Sequence, residues 1–272
     1  MDYLDELEQK SIYIIREAYA KHKNKMAMLW SIGKDSTSML WLCRKAFFGK
    51  IPFPVMHLDT GFKFPQIYHF RDKYAKIWGL NLLVEQNEEA LENAMGPWRG
   101  KFACCTSLKT DALKIALDKH NFEAVLLAIR RDEHGIRAKE RYFSPRNRKF
   151  KWNYSDQPAE LWNQYKSNTK EEQHLRVHPM LHWREIDIWR YILREKIPIT
   201  TLYFAKPNEE GKWQRFRSIG CATCCNPIPS KAKTVPQIVK ELEVTKIAER
   251  SGRAQDKEKA YMMQKLRSLG YM

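Results

Sequence analysis

The chain has 272 residues, 43% of them apolar and 12% aromatic, which suffices for a sizeable core and argues against global disorder. No apolar run approaches the roughly 20 residues that span a bilayer. The acidic opening, residues 1–8, lacks the basic-then-apolar pattern of a secretory signal, so the expectation is a soluble, cytoplasmic protein with no membrane role. The net charge of +16 asks for an anionic partner, either nucleic acid or an acidic protein face.

In chain order, apolar side chains at Leu4, Leu7, Ile12, Ile15 and Ala18 recur with helical spacing over residues 4–22. Residues 26–30 read as a buried parallel strand, and a helix opens near Thr37. A second strand is expected over 54–59, a helix over 66–78 and a third strand over 80–84. A helix near 106–119 and a fourth strand over 124–129 follow, then a short strand at 175–178 and an amphipathic helix over 185–194. Two more helical stretches are expected beyond Cys221. Strands alternating with helices give an open, mostly parallel, twisted α/β sheet flanked by helices. The expected division is an α/β domain at 1–200 and a helical and loop C-terminal extension at 201–272, packed on the same domain.

Residues 130–170 interleave Arg146, Arg148, Lys149 and Lys151 with Trp152, Tyr154 and Trp162. That composition suits a nucleic-acid surface or a solvated loop over the active site.

The motif that carries chemistry is Ser31-Ile32-Gly33-Lys34-Asp35-Ser36, between the first strand and its helix. Backbone N–H groups and the helix dipole favour an anion there, Gly33 permits close approach, Ser31 and Ser36 offer hydroxyls, and Lys34 offers a charge. Asp35 either orders the loop or holds Mg2+. The Gly-x4-Gly-Lys-Ser/Thr phosphate loop is absent. An ordinary strand–helix turn is the alternative.

Five of six cysteines fall in two groups, Cys104-Cys105 and Cys221-Ala222-Thr223-Cys224-Cys225. Such grouping suits a metal site, a four-iron four-sulfur cluster before zinc, on Cys104, Cys105, Cys221 and Cys224; buried free thiols are the alternative. Cys225 is either a sulfur acceptor or a replacement for Cys224. Cys43 reads as core filler.

The Ser31–Ser36 loop resembles the pyrophosphate loop of the ATP pyrophosphatase superfamily, departing from its Ser-Gly-Gly-x-Asp-Ser pattern at Ile32. The likeness is to the phosphoadenylyl-sulfate reductase and sulfate adenylyltransferase small-subunit family. It continues through His57-Leu58-Asp59-Thr60-Gly61-Phe62-Lys63-Phe64, Arg130-Arg131-Asp132-Glu133, Arg137-Ala138-Lys139-Glu140-Arg141 and Phe216-Arg217-Ser218-Ile219-Gly220-Cys221.

The resemblance implies an adenine nucleotide alpha hydrolase-like fold and cleavage of ATP between its α and β phosphates. Ser31, Gly33, Lys34, Asp35 and Ser36 would hold pyrophosphate. Asp59, Thr60 and Gly61 would lie beside adenosine. Arg130, Arg131 and Arg137 would clamp phosphate or the attacking oxyanion. The cysteines resemble those of cluster-bearing ATP pyrophosphatases of DNA phosphorothioation systems. They lead to an expectation of DNA-backbone adenylation, with a cysteine desulfurase as sulfur donor. The alternative is adenylyl sulfate synthesis from ATP and sulfate with a GTPase large subunit. The family's insertion before the last motif is shortened here, around residues 206–215. No cysteine follows Cys225 to act as a reductase nucleophile.

Overall fold

A computed structural model describes residues 2–135, 137–147, 149–153, 155, 157, 159–166, 174–247 and 249. Arg148, Tyr154 and the last expected helical stretch lie outside the described residues. α1 (Tyr3–His22) opens on a capping box in which Asp2 and Asp5 accept each other's backbone N–H. β1 (Met26–Leu29) leads through the Ser31–Ser36 loop into α2 (Lys34–Ala46), which starts three residues earlier than its apolar pattern suggests. β2 (Val55–Leu58), α3 (Pro65–Ile77) and β3 (Leu82–Glu85) follow.

A short α4 (Glu88–Glu92) precedes the helix expected near 106–119, which begins earlier, at Lys101, and has three parts. α5 (Lys101–Cys105) passes through a wide π turn, Thr106–Asp111, into α6 (Ala112–Lys119). Then come β4 (Ala124–Leu126), β5 (Phe143–Arg146), β6 (His174–Val177) and α7 (Glu185–Glu195). A small antiparallel sheet of β7 (Lys206–Pro207), β8 (Trp213–Arg215) and β9 (Ile228–Pro229), and finally α8 (Val235–Val244), complete the described elements.

The main sheet runs β3-β2-β1-β4-β6-β5, all parallel except β5, which pairs antiparallel with β6. β1 is buried on both faces, as its unbroken apolar run requires. Met26, Met28 and Trp30 join the core under α1, α2 and α7, while Ala27 and Leu29 join Met56, Leu58 and α6 on the other face. Cys43 is core, with its Sγ 3.8 Å from Met28 Sδ. Chain order reverses between β1 and β4, and the crevice at such a point, beyond the carboxyl ends of the strands, is where open α/β sheets take ligands. The Ser31–Ser36 loop follows β1 there and Arg130 follows β4.

The segment expected to be a basic surface is partly interior. Arg146 lies in β5, is fully buried, and pairs with Glu140 at 2.8 Å. Trp152 is also buried, with the Arg146 guanidinium 5.3 Å from its ring centre. Trp162 is exposed. No helix among the described residues is long and apolar enough to cross a membrane.

Candidate nucleotide site

Gly33 caps α2 with φ −71°, an ordinary value, and a Cβ there would meet only Ser31 Oγ at 3.5 Å and the Tyr203 hydroxyl at 3.6 Å. The unusual backbone belongs to Ile32, at φ 65° with its side chain buried in the core. The left-handed residue of the loop is thus Ile32, where the superfamily pattern has glycine. Ser31 Oγ and Ser36 Oγ lie 3.1 Å apart, and Ser36 Oγ also donates to the Gly33 carbonyl at 3.1 Å. The Lys34 backbone N–H donates to the Tyr203 hydroxyl at 2.7 Å. Tyr203 fixes the loop from 169 residues away, a contact no local pattern announces.

Lys34 and Arg130 bring two buried positive charges to this loop. The Lys34 ammonium pairs with Asp35 at 3.1 Å and with Glu249. The Arg130 guanidinium pairs with Asp35, with Asp132 at 2.9 Å and with Glu249. Burial works against the Arg130 charge, but Glu249, Glu133, Asp132 and Glu185 together hold its pKa above the ordinary arginine value. Burial likewise opposes ionisation of Glu249, and Lys34 and Arg130 outweigh it, keeping the carboxylate charged. Asp35 therefore serves, in this arrangement, to order the two cations.

A cavity of about 160 Å³ opens beside the loop. Ser31, Gly33, Lys34, Asp35 and Ser36 line it, with Arg137, Lys63, Lys109 and the turn Ser218-Ile219-Gly220. Arg137 pairs with Glu133, another lining residue. Its apolar wall comes from Leu29, Met56, Leu58, Leu127 and Ile129, surfaces suited to an adenine ring.

Other expected site residues sit elsewhere. Arg131 is not among the lining residues; its guanidinium lies 5.3 Å from the Tyr142 ring centre. Asp59, Thr60 and Gly61 also fall outside the lining. Asp59 Oδ1 accepts from Gly61 N–H and from the Tyr68 hydroxyl, each at 2.9 Å, so it shapes the turn that carries Lys63.

The two cysteine groups come together at this turn. Lys63 and Cys221 form a β-bridge, Ala222 N–H donates to the Phe62 carbonyl at 2.8 Å, and Thr60 Oγ1 is 3.2 Å from Cys221 Sγ. All six thiols are buried and none is in a disulfide. Burial first, then Cys105, Cys221 and Cys224, pushes the Cys104 thiol up to about 11. Cys221 moves the other way: burial opposes, but Lys109, Lys63 and the Thr60 hydroxyl prevail and favour its thiolate.

Among the described residues, however, no three Cys, His, Asp or Glu side chains meet as a metal ligand set. The thiols face one another electrostatically, but Cys221 and Cys105 take Lys109 as a hydrogen-bond partner and Cys221 also takes Thr60. The four residues expected to hold a cluster, Cys104, Cys105, Cys221 and Cys224, are thus gathered at one place, within electrostatic reach of one another.

Residues 25–227 match the family model of the phosphoadenosine phosphosulfate reductase domain. The chain belongs to that family. Sulfate adenylyltransferase subunit 2 of Saccharophagus degradans is 42% identical over 297 aligned positions, covering 100% of this chain and 98% of the relative. The same subunit of Geotalea daltonii is 41% identical with equal coverage. Among solved structures, phosphoadenylyl-sulfate reductase from Candida auris matches at TM-score 0.55 and 16% identity, over 83% of this chain and 98% of that one. Candida glabrata FMN adenylyltransferase in complex with ATP matches at TM-score 0.59 and 15% identity, over 93% and 88%. These two likenesses carry the fold, an adenine nucleotide alpha hydrolase-like sheet. The chain is an enzyme of the nucleotidyltransferase class, at home in sulfur metabolism.

Proposed function

We propose that the chain catalyses attack of sulfate on the α-phosphorus of ATP, giving adenylyl sulfate and pyrophosphate. A sulfate oxygen forms the new bond to phosphorus, the bond to the bridging α–β oxygen breaks, and its electron pair leaves on pyrophosphate. Full-length identity of 42% to a sulfate adenylyltransferase subunit 2 carries the reading. The hydroxyls and cations gathered where the sheet order reverses support it. Ser31, Ser36 and Lys34 would hold the leaving pyrophosphate, with Arg130 behind them. Arg137 would face the transferred phosphoryl group and the incoming oxyanion. Such chemistry needs positioning and charge neutralisation more than covalent participation. Mg2+, carried in with ATP, would offset phosphate charge. Asp59, Thr60 and Gly61 would act on the cavity through the turn they build, and Arg131 from outside the lining. A second subunit is implied by the relatives' name, and by the sequence resemblance it would be a GTPase.

The expectation of DNA-backbone adenylation, with a desulfurase as donor, finds no support in these likenesses. Arg130, Arg146, Arg176 and Arg215 are buried, so none of these four belongs to a surface that a nucleic-acid strand could use. The deciding experiment is pyrophosphate release from ATP by the purified chain, alone and with its partner subunit, with and without sulfate. Sulfate-dependent release is expected, and Lys34→Met should abolish it. Release indifferent to sulfate, together with incorporation of radiolabelled sulfur into DNA, would restore the DNA reading.

A further inference from the structure

The proposed reaction sets the loop a selectivity problem. Sulfate is itself a tetrahedral dianion, and a site built to grip phosphates would also take sulfate where pyrophosphate belongs. Something must raise the entry requirement at the loop.

The side chains of Lys34 and Arg130 are 1% and 0% exposed, and both already hold the carboxylates of Asp35 and Glu249, Arg130 that of Asp132 as well. Each Glu249 oxygen takes one cation, much as two oxygens of a phosphate would. Polyphosphate oxygens and Glu249 cannot both occupy these positions, because like charges so close in a buried site repel strongly. One carboxylate has to yield. Asp35 belongs to the first turn of α2, and its place is set by that helix. Glu249 instead follows the end of α8, with an anchor two residues back, where Arg217 donates to the Ile247 carbonyl at 2.8 Å. Arg217 also lies within electrostatic reach of Glu249, so a displaced carboxylate keeps a partner.

We propose that Glu249 competes with nucleotide phosphates for Lys34 and Arg130, so that a polyphosphate can displace it and a lone sulfate cannot. Glu249 thereby acts as a specificity-determining residue that reserves the loop for ATP. The proposal rests on the ATP and sulfate reading above.

The test is calorimetric binding of magnesium pyrophosphate to the parent and to Glu249→Gln, with sulfate as competitor. The variant should bind pyrophosphate about tenfold more tightly, since the fraction of competent sites rises. Sulfate should compete with pyrophosphate in the variant and not in the parent. Unchanged or weaker pyrophosphate binding in the variant would mean that Glu249 merely positions the two cations, and would overturn the proposal while leaving the ATP reading intact. If the parent itself fails to bind pyrophosphate, the ATP reading falls and the proposal with it. A measurement on the parent alone covers a variant that does not fold: pyrophosphate should speed amide hydrogen exchange at Lys246, Ile247 and Glu249. Slower exchange there would overturn the proposal.

Discussion

Ile32 is a β-branched residue held at φ 65°, a conformation that costs such side chains of order 1–3 kcal/mol. Its buried side chain offsets that cost by joining the core. Two substitutions separate these effects. Ile32→Ala loses the burial and keeps most of the strain, whereas Ile32→Gly loses the burial and releases the strain. At ordinary positions glycine is worse than alanine by about 1 kcal/mol. Here the two variants should be equally stable, or the glycine variant the more stable, by denaturant midpoint. A glycine variant less stable by the usual margin would place the strain elsewhere. The loop itself was legible in the sequence because its chemistry is local: hydroxyls, a lysine and an aspartate within six residues, between a strand and a helix. Tyr203 and Glu249 were not legible, because they reach the loop through tertiary packing from 169 and 215 residues away.

The elements follow the same division. β1 and β4 are short apolar runs buried on both faces, β2 is one interrupted only by His57, and such runs announce themselves. β5 reads Phe143-Ser144-Pro145-Arg146, with a proline and a charge in four residues, and looks like loop. It exists because it is an edge strand, where proline is tolerated, and because its arginine has a buried partner. Arg146 donates to Glu140 at 2.8 Å and to Ser144 Oγ at 2.7 Å, and Ser144 Oγ donates to Glu140 at 2.7 Å. Burial lowers the Arg146 pKa and Glu140 opposes the shift, so the pair is held together by mutual need. Arg146→Ala should therefore cost about 3–5 kcal/mol by taking the guanidinium away from the buried Glu140 carboxylate. Arg146→Ala combined with Glu140→Leu should recover much of the loss, because both buried charges then go. A loss below about 1 kcal/mol for the single variant would assign this arginine to the surface.

At the scale of the whole molecule, the interior histidines set the acid limit of the fold. His57 lies on β2 with no exposure, and its Nδ1–H donates to the Trp30 carbonyl at 2.8 Å. Burial, then Lys63, lowers its pKa from 6.5 to about 4, and burial together with Lys10 does the same for His182. In the unfolded chain these rings take up protons near pH 6.5; in the folded chain they resist until about pH 4. Between those values the unfolded state holds more protons, so stability is complete above the upper value and falls as pH drops through the window. His57 alone accounts for about 3 kcal/mol across it, at 1.36 kcal/mol for each pH unit of displacement. Glu249 acts in the same sense, since a carboxylate kept charged by Lys34 and Arg130 loses that stabilisation only in acid. His57→Asn keeps a donor for the Trp30 carbonyl but has nothing to titrate. Its unfolding free energy should fall less steeply than the parent's between pH 6.5 and 4, by up to about 1.4 kcal/mol per pH unit, measured by urea denaturation at pH 7, 6 and 5. Parallel pH profiles for parent and variant would mean that His57 titrates alike in both states, and the acid limit would then belong to the carboxylates.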